Sequence, residues 1–96
     1  MDRVKELIAL LERATADPLQ LAVAVEEFQS AVFAAASHDL DASPQVEDTL
    51  RTLAYDLDFY VPDPEARAEH SSYYGEERAV HEIRQALASL RTLGAA

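Results

Sequence analysis

The sequence has no cysteine and no tryptophan, and only two glycines among its 96 residues. Without cysteine, neither disulfide bonds nor a thiolate zinc site can hold the fold together. The P-loop, the glycine-rich dinucleotide turn, the nucleophile elbow and the HExxH motif are also missing. No apolar run approaches membrane-spanning length, and the first residues, MDRVKELIALLE, interleave charged with apolar side chains, unlike a secretory signal. We therefore expect a soluble, cytoplasmic protein that is not an enzyme.

The histidines and paired carboxylates do not have the spacing of a chemical site. No two of His38, His70 and His81 lie three or four residues apart, the spacing that places two metal ligands on one helical face. Asp56 and Asp58 are the obvious pair for acid–base work, but residues two apart on a helix point about 200° apart. We expect no metal, no cofactor and no catalytic pair.

The charge of the chain is strongly acidic and unevenly distributed. Eighteen acidic residues against eight basic ones give a formal net charge of -10. Residues 1–38 hold six acids and three bases, residues 39–82 hold twelve and three, and residues 83–96 hold none and two. A field of this sign repels nucleic acid and anionic membranes and attracts a basic protein, although acidity can also serve solubility alone.

Apolar residues recur at helical spacing in four stretches, which predicts an all-α fold. Asp17-Pro18 and Ser43-Pro44 each combine an N-cap residue with proline at the first helical position. Short connections favour antiparallel neighbours, so we predict one domain over residues 1–96, a four-helix antiparallel up-down bundle. Its helices are expected over residues 2–15, 18–36, 44–60 and 74–92, with Gly94 as the final C-terminal cap.

The second and third helices carry the most informative faces. Val23 and Phe33 lie outside the main apolar stripe of the second helix, so we expect it to be the most buried one. The third helix should turn Tyr60 inward and present a mainly acidic outer face, which holds Glu47, Asp48, Arg51, Tyr55 and Asp58. The prolines of Val61-Pro62-Asp63-Pro64 end this helix, and Asp63-Pro64-Glu65 can start one short turn.

Aromatic residues are concentrated around the acidic loop that follows the third helix. Five of the seven are Tyr55, Phe59, Tyr60, Tyr73 and Tyr74. They can seal the end of the bundle, or they can serve as anchors for a partner inside a charged rim. The two interpretations are compatible, because Tyr60 faces inward whereas Tyr55 faces outward.

Residues 53–87, LAYDLDFYVPDPEARAEHSSYYGEERAVHEIRQAL, resemble the colicin D immunity-like family of bacterial self-protection proteins. The likeness lies in a helix that ends in Asp58-Phe59-Tyr60, then Pro62-Asp63-Pro64 with Arg67, then a tyrosine-bearing acidic stretch, then Glu82-Ile83-Arg84. Residues 1–52 share only helical character and length with that family.

The resemblance implies a partner and a set of contact residues. Proteins of this family are small, acidic four-helix bundles that bind the nuclease domain of a colicin-like toxin, typically one that cleaves tRNA in the anticodon loop. They occlude its basic cleft with carboxylates in place of the substrate phosphates. The toxin-binding residues implied here are Asp56, Asp58, Asp63, Glu65 and Glu69, then Glu76 and Glu77, and the outward-facing Tyr55 is free to join them.

Two other functions stay open at this point. The chain can be a non-enzymatic acidic helical adaptor or regulatory module whose partner is unrelated to nucleases. It can also be a homo-oligomer that uses the extra apolar surface of the second helix. For the immunity function we expect a monomer or weak homodimer when free, with no direct contact to nucleic acid or membrane.

Because no ligand spacing is present, we expect the fold to need no metal. Dialysis against a chelator should leave the melting temperature unchanged, as followed by far-ultraviolet circular dichroism. A loss of several degrees that added zinc or calcium restores would contradict this expectation.

Overall fold

A computed structural model of the chain describes residues 3–35, Leu40 and residues 42–95. The regular structure of this part is all helical, as predicted, and a single isolated β-bridge there joins Tyr60 to Tyr74. The five helices are α1 (Arg3–Ala16), α2 (Leu21–Ala34), α3 (Pro44–Asp56), the short α4 (Pro64–Arg67) and α5 (Glu76–Thr92). The predicted end of the second helix at residue 36, and His38, lie outside the described residues. None of the helices described is long and apolar enough to cross a bilayer.

Three of the helical segments begin at a side-chain cap followed by proline. Asp17 accepts a hydrogen bond from the Leu19 amide (3.0 Å) ahead of a 3₁₀ turn that leads into α2. Ser43 accepts from the Val46 amide (3.3 Å) before α3. Asp63 caps α4 in the same way, so the short helical turn that the sequence allowed is formed. In each case the side-chain oxygen binds an amide that lacks a partner within the helix.

The third helix ends earlier than the sequence pattern predicts. Beyond Asp56 the chain tightens into a 3₁₀ turn over Leu57–Phe59, and Tyr60 is extended (φ -76°, ψ 115°). Pro62 biases the preceding residue away from the helical region. The Val61 amide instead donates to the carbonyl of Tyr74 (3.0 Å), so backbone pairing takes over where the helix stops.

The four long helices contact one another in a closed ring. α1 packs on α2 and α5, and α3 packs on the same two helices. Side-chain contacts show that α2 and α3 run in opposite directions, because Gln29 reaches Ala54 whereas Arg51 reaches Ala35. This arrangement is compatible with the predicted four-helix bundle, with α4 as a fifth, short helix in the connection between α3 and α5.

One apolar cluster fills the centre of the ring. Its members come from all four long helices and from Ala35, Leu40 and Leu57, and no polar side chain is buried among the described residues. Phe28 is the largest side chain in it and is fully buried. The core therefore depends on apolar packing, without a buried polar network.

The prediction that the second helix is the most buried one is wrong. α2 buries five side chains, as do α1 and α5. Val23 is 54% exposed and Phe33 is 45% exposed. The reason is geometric: α2 has two helical neighbours in the ring, like every other long helix, so among the described residues its second apolar face is left largely open, apart from the contact of Phe33 with Tyr55.

Arg51 stabilises the end of α2 and does not lie on an open outer face. Its guanidinium donates to the carbonyls of Val32 (3.3 Å) and Ala35 (3.0 Å), and its Nε donates to Glu47 Oε1 (2.9 Å). Arg51 and Glu47 are both half-buried. The predicted acidic outer face of α3 therefore loses Glu47 to an internal ion pair.

The end of α5 matches the predicted glycine cap. Gly94 has a positive φ of 79°. The Gly94 amide donates to Arg91 (3.0 Å) and the Ala95 amide to Leu90 (2.9 Å), the paired bonds of a Schellman motif.

Replacing Phe28 with alanine should reduce the free energy of unfolding by about 3–5 kcal/mol, because the side chain is fully buried and a cavity replaces it. Urea denaturation measures the change. Leu19→Ala is the matched control, since Leu19 is 87% exposed and its removal should change stability by less than about 0.5 kcal/mol. Equal losses in the two variants would contradict the placement of the core.

Candidate protein-binding surface

Tyr74 connects the segment between α3 and α5 to the end of α3 through hydrogen bonds of its backbone and of its side chain. Its amide donates to the carbonyl of Phe59 (2.9 Å), and its carbonyl accepts from the Val61 amide. Its hydroxyl donates to the carbonyl oxygen of Asp56 (2.8 Å) and lies 3.2 Å from Asp56 Oδ2. The rings of Tyr60 and Tyr74 stack with centroids 6.5 Å apart. Of the aromatic residues that were expected to seal the end of the bundle, Tyr60 and Tyr74 pack together there, and we call these two the plug tyrosines.

Both plug tyrosines hold their protons more firmly than a tyrosine in water. Burial raises the pKa of Tyr74, and the neighbouring Asp56 carboxylate raises it further. Burial also raises the pKa of Tyr60, with a smaller contribution from Glu76 that Arg67 opposes. A phenolate at either position would lie near a carboxylate in a partly dry environment, so the neutral form is favoured.

Asp56 has a structural role that the sequence did not reveal. It is half-buried, and both its carbonyl and its carboxylate face the hydroxyl of Tyr74. It also lines a shallow groove of about 370 Å³ between α3 and α5, together with Thr52 and Glu82. Among the predicted toxin-binding residues, Asp56 is thus the one already engaged in holding the fold together.

We call residues 63–69, which include α4, the α4 segment. It carries three of the predicted contact residues. One carboxylate oxygen of Asp63 accepts a hydrogen bond from the Glu65 amide (3.2 Å) and so caps α4, but Asp63 remains exposed. Glu65 and Glu69 are exposed as well. Arg67 is half-buried, and its guanidinium lies so close to Gly75 that a Cβ at that position would overlap it. The absence of a side chain at Gly75 therefore leaves room for the Arg67 guanidinium beside the start of α5.

An open groove of about 790 Å³ lies where α2 and α5 begin and α3 has ended. Glu76 and Glu77 line one side of it, and the exposed Leu19 lines another. Its other lining residues are Pro18, Ala22, Tyr60, Pro62, Arg67, Gly75 and Arg78. The groove combines apolar and charged side chains, and it joins the predicted loop region to α2, which the sequence did not associate with the site.

The side chains of the predicted residues Tyr55 and Asp58 contact α2, whereas the side chain of Asp56, which lies between them in the sequence, contacts Tyr74. Tyr55 is 63% exposed, and its ring centroid is 5.3 Å from that of Phe33. Gln29 Nε2 donates to Asp58 Oδ1 (2.9 Å) and to the carbonyl of Ala54 (3.0 Å). We call Gln29, Phe33, Tyr55 and Asp58 the α2–α3 seam. The partners from α2 could not be found from sequence, since they are more than twenty residues away and no local pattern links them to α3.

The predicted contact residues therefore lie in four places. Tyr55 and Asp58 belong to the α2–α3 seam, and Asp56 contacts Tyr74. Asp63, Glu65 and Glu69 lie in the α4 segment, and Glu76 and Glu77 line the large groove. Six of the carboxylates are exposed and form no ion pair with the described residues: Asp58, Asp63, Glu65, Glu69, Glu76 and Glu77. The ion pairs among the described residues lie outside residues 55–77 and use Glu27, Glu47 and Glu82. Residues 55–77 thus present negative charge that the fold itself does not neutralise.

Within residues 3–35, 40 and 42–95, no group of three acidic, histidine or cysteine side chains could hold a metal ion. His81 is exposed. His70 accepts a hydrogen bond from the Ser72 amide (3.2 Å) and packs beside Tyr73. Asp56 and Asp58 bind different partners, Tyr74 and Gln29, so this pair is not arranged for shared proton transfer.

Comparisons with protein-family models, with curated proteins and with solved structures found no match to this chain. The resemblance of residues 53–87 to the colicin D immunity-like family therefore stays a prediction.

Tyr74→Phe should lower the free energy of unfolding by about 1 kcal/mol at neutral pH, because it removes the hydroxyl contact with Asp56. The folded-state pKa lies above the ordinary value of 10.0. The contribution of the proton on Tyr74 is therefore complete below that pH and is lost as the pH rises through the folded-state pKa. Urea denaturation from about pH 8 to about pH 11 should show the wild type losing its advantage over the variant in the upper part of that range.

Tyr73→Phe is the matched control, since the Tyr73 hydroxyl forms no hydrogen bond with the described residues. It should keep the stability of the wild type at neutral pH. A constant difference between wild type and Tyr74→Phe at every pH would contradict the assigned cause.

Proposed function

We propose that this chain is a cytoplasmic immunity protein that binds the basic nuclease domain of a colicin-like, tRNA-cleaving toxin and occludes its active-site cleft. The observation that carries the proposal is the set of six exposed, unpaired carboxylates in residues 55–77. Within those residues there are seven acidic side chains and one basic one, Arg67. A nuclease cleft that binds RNA phosphates offers the opposite charge.

The charge distribution suits an inhibitor that has to act quickly. Opposed electrostatic fields raise association rates by orders of magnitude over neutral surfaces, and salt weakens this effect. A protein that protects a cell from its own toxin benefits from fast capture. The carboxylates take the positions of substrate phosphates and accept hydrogen bonds from the lysine and arginine side chains of the toxin.

Aromatic side chains on the same surface supply what charge alone does not. Interface energy is usually concentrated in a few large anchors that become desolvated on binding. Tyr55 and Phe59 are exposed within the acidic region, where a surface built only for solubility has no need of them. Tyr55 therefore stays in the proposed contact set, whereas Asp56 contributes mainly through the position of Tyr74.

The proposed bundle favours binding in a second way. A four-helix antiparallel up-down scaffold holds its surface side chains on rigid elements, so less conformational entropy is lost when the toxin binds. The plug tyrosines extend this rigidity to the loop that carries Glu65 and Glu69. The free protein is a monomer or weak homodimer, since a net charge of -10 opposes self-association.

One observation favours a second candidate, an acidic helical adaptor or regulatory module. Leu19, in the 3₁₀ turn before α2, and Val23 of α2 are exposed and lie outside residues 55–77. An adaptor would use this apolar surface, and its partner would not need a basic cleft. A homo-oligomer through the same surface would elute at twice the monomer mass or more in size-exclusion chromatography.

Co-expression separates these functions. The immunity function requires a neighbouring gene whose product ends in a basic nuclease domain. That domain should stop bacterial growth when expressed alone, and co-expression of this chain should restore growth and yield a co-purifying complex with intact tRNA. An adaptor would neither restore growth nor bind the domain.

Charge reversal at Glu65, Glu69 and Glu77 should slow association with the toxin domain and raise the dissociation constant by about two orders of magnitude. These side chains are exposed and make no hydrogen bond with the described residues, so the stability of the free protein should change little. Surface plasmon resonance at two salt concentrations gives both rate constants, and growth reports protection.

The matched control reverses Glu6, Glu12 and Asp48, which are also exposed but lie outside residues 55–77. The net charge of the two triple variants is the same. If both weaken binding alike, only the overall field matters and the site is assigned wrongly. If neither does, the proposed mimicry of RNA phosphates is refuted.

A further inference from the structure

The α2–α3 seam is a surface of exposed aromatic rings beside hydrogen-bond acceptors. We propose that it is a docking site for an arginine side chain of the basic partner, separate from the acidic loop. This inference rests on the proposed function in one respect, that the partner is basic. The seam includes Phe33 and Gln29 of α2, residues that lie far from residues 55–77 in sequence.

The polar groups of the seam are arranged as acceptors. The side-chain Nε2 of Gln29 donates hydrogen bonds to the carbonyl of Ala54 and to Asp58 Oδ1. Its amide oxygen accepts no hydrogen bond from the described residues, and neither does the second carboxylate oxygen of Asp58. Gln29 thereby fixes the Asp58 carboxylate on an exposed surface. A ligand that only donates hydrogen bonds fits this surface, and guanidinium has five donors and no acceptor.

The aromatic side chains of the seam provide the second half of a guanidinium site. Phe33 and Tyr55 contact each other at the edge of the core, and both remain largely open to solvent. Planar guanidinium stacks on such rings while its edge donates to a carboxylate. The same chain shows this chemistry internally, because Arg78 Cζ lies 5.3 Å from the ring centroid of Tyr74.

No cation of the described residues occupies the seam. Arg51, one helical turn before Tyr55, is committed to Glu47 and to the end of α2. The seam therefore keeps its negative charge, and Glu26, one turn before Gln29, adds to it. A second copy of this chain is the less suitable occupant, since it would bring carboxylates against carboxylates. Charge complementarity favours a basic partner.

A titration followed by nuclear magnetic resonance tests the site with defined probes. The probe is an acetylated, amidated Gly-Arg-Gly-Arg-Gly peptide, and the same peptide with citrulline in place of arginine is the uncharged comparison. The arginine peptide should shift the side-chain amide of Gln29 and the backbone amides of Phe33 and Tyr55 more than those of Glu76 and Glu77. Equal shifts at both places, or equal shifts with citrulline, would overturn the proposal.

Two pairs of variants sharpen the test. Asp58→Asn keeps an oxygen for the bond from Gln29 but removes the charge, so the peptide should bind about threefold more weakly. Glu69→Gln makes the same charge change on the α4 segment and should leave affinity at the seam unchanged. Phe33→Ala with Tyr55→Ala should weaken the peptide by about tenfold. Val23→Ala with Leu93→Ala, which also removes two exposed apolar side chains but touches neither the seam nor the large groove, should have no effect.

The growth assay distinguishes this proposal from the immunity function. Peptide binding at the seam combined with failure of the wild type to protect against the toxin would refute the immunity function and leave the seam standing. Full protection by the wild type and by the Phe33→Ala, Tyr55→Ala variant alike would refute the seam as a toxin contact. Loss of protection in that variant, with protection kept in the Val23→Ala, Leu93→Ala control, is the expected result.

Discussion

The segment between α3 and α5 is held in place through one residue, Tyr74. Its backbone pairs with Phe59 and Val61, and its hydroxyl binds the last residue of α3. The four-residue α4 is too short to be stable alone in water. The carboxylates of the α4 segment therefore owe their fixed position to Tyr74, together with the close approach of Arg67 to Gly75.

The core and the surface of this protein are built on separate principles. The interior contains no buried polar side chain among the described residues, so its stability comes from apolar packing that salt and pH hardly affect. Nearly all the charge lies outside. Residues 55–77 can consequently accumulate like charges without disturbing the core, at the cost of some mutual repulsion that a basic partner would relieve. Most of the exposed carboxylates in residues 55–77 thus play no part in holding the fold, whereas Asp56, Asp58 and Asp63 accept hydrogen bonds within it.

Local signals in the sequence were sufficient for the helices and their beginnings. The Asp-Pro and Ser-Pro pairs marked real caps, and Gly94 marked the end of α5, because these interactions involve neighbours in the chain. The end of α3 was missed because apolar periodicity continues through Tyr60, while the competing backbone pairing with Tyr74 is fourteen residues away.

The arrangement of the candidate site was less accessible to sequence. Periodicity shows that a helix has an apolar face, but it does not show whether a neighbour covers that face, so the sequence alone does not decide whether Val23 and Phe33 are buried or exposed. Tyr55 was correctly expected to face outward, whereas Asp56 and Asp58, close in sequence, separate onto Tyr74 and Gln29. The partners in both cases come from other helices. Which helices become neighbours is a property of the whole packing arrangement.

The termination of α2 by Arg51 has a consequence for how freely the chain can vary. The carbonyls of Val32 and Ala35 accept hydrogen bonds from the guanidinium of Arg51 in α3, and the Nε of the same side chain donates to Glu47. One side chain therefore joins two helices that are separate in sequence. Lysine would keep the positive charge, but it has no planar fork of donors that could serve both carbonyls and the carboxylate together. A change at this one position would thus be felt at the end of α2 and along α3 at once, whereas exposed positions elsewhere on the two helices can change independently of each other.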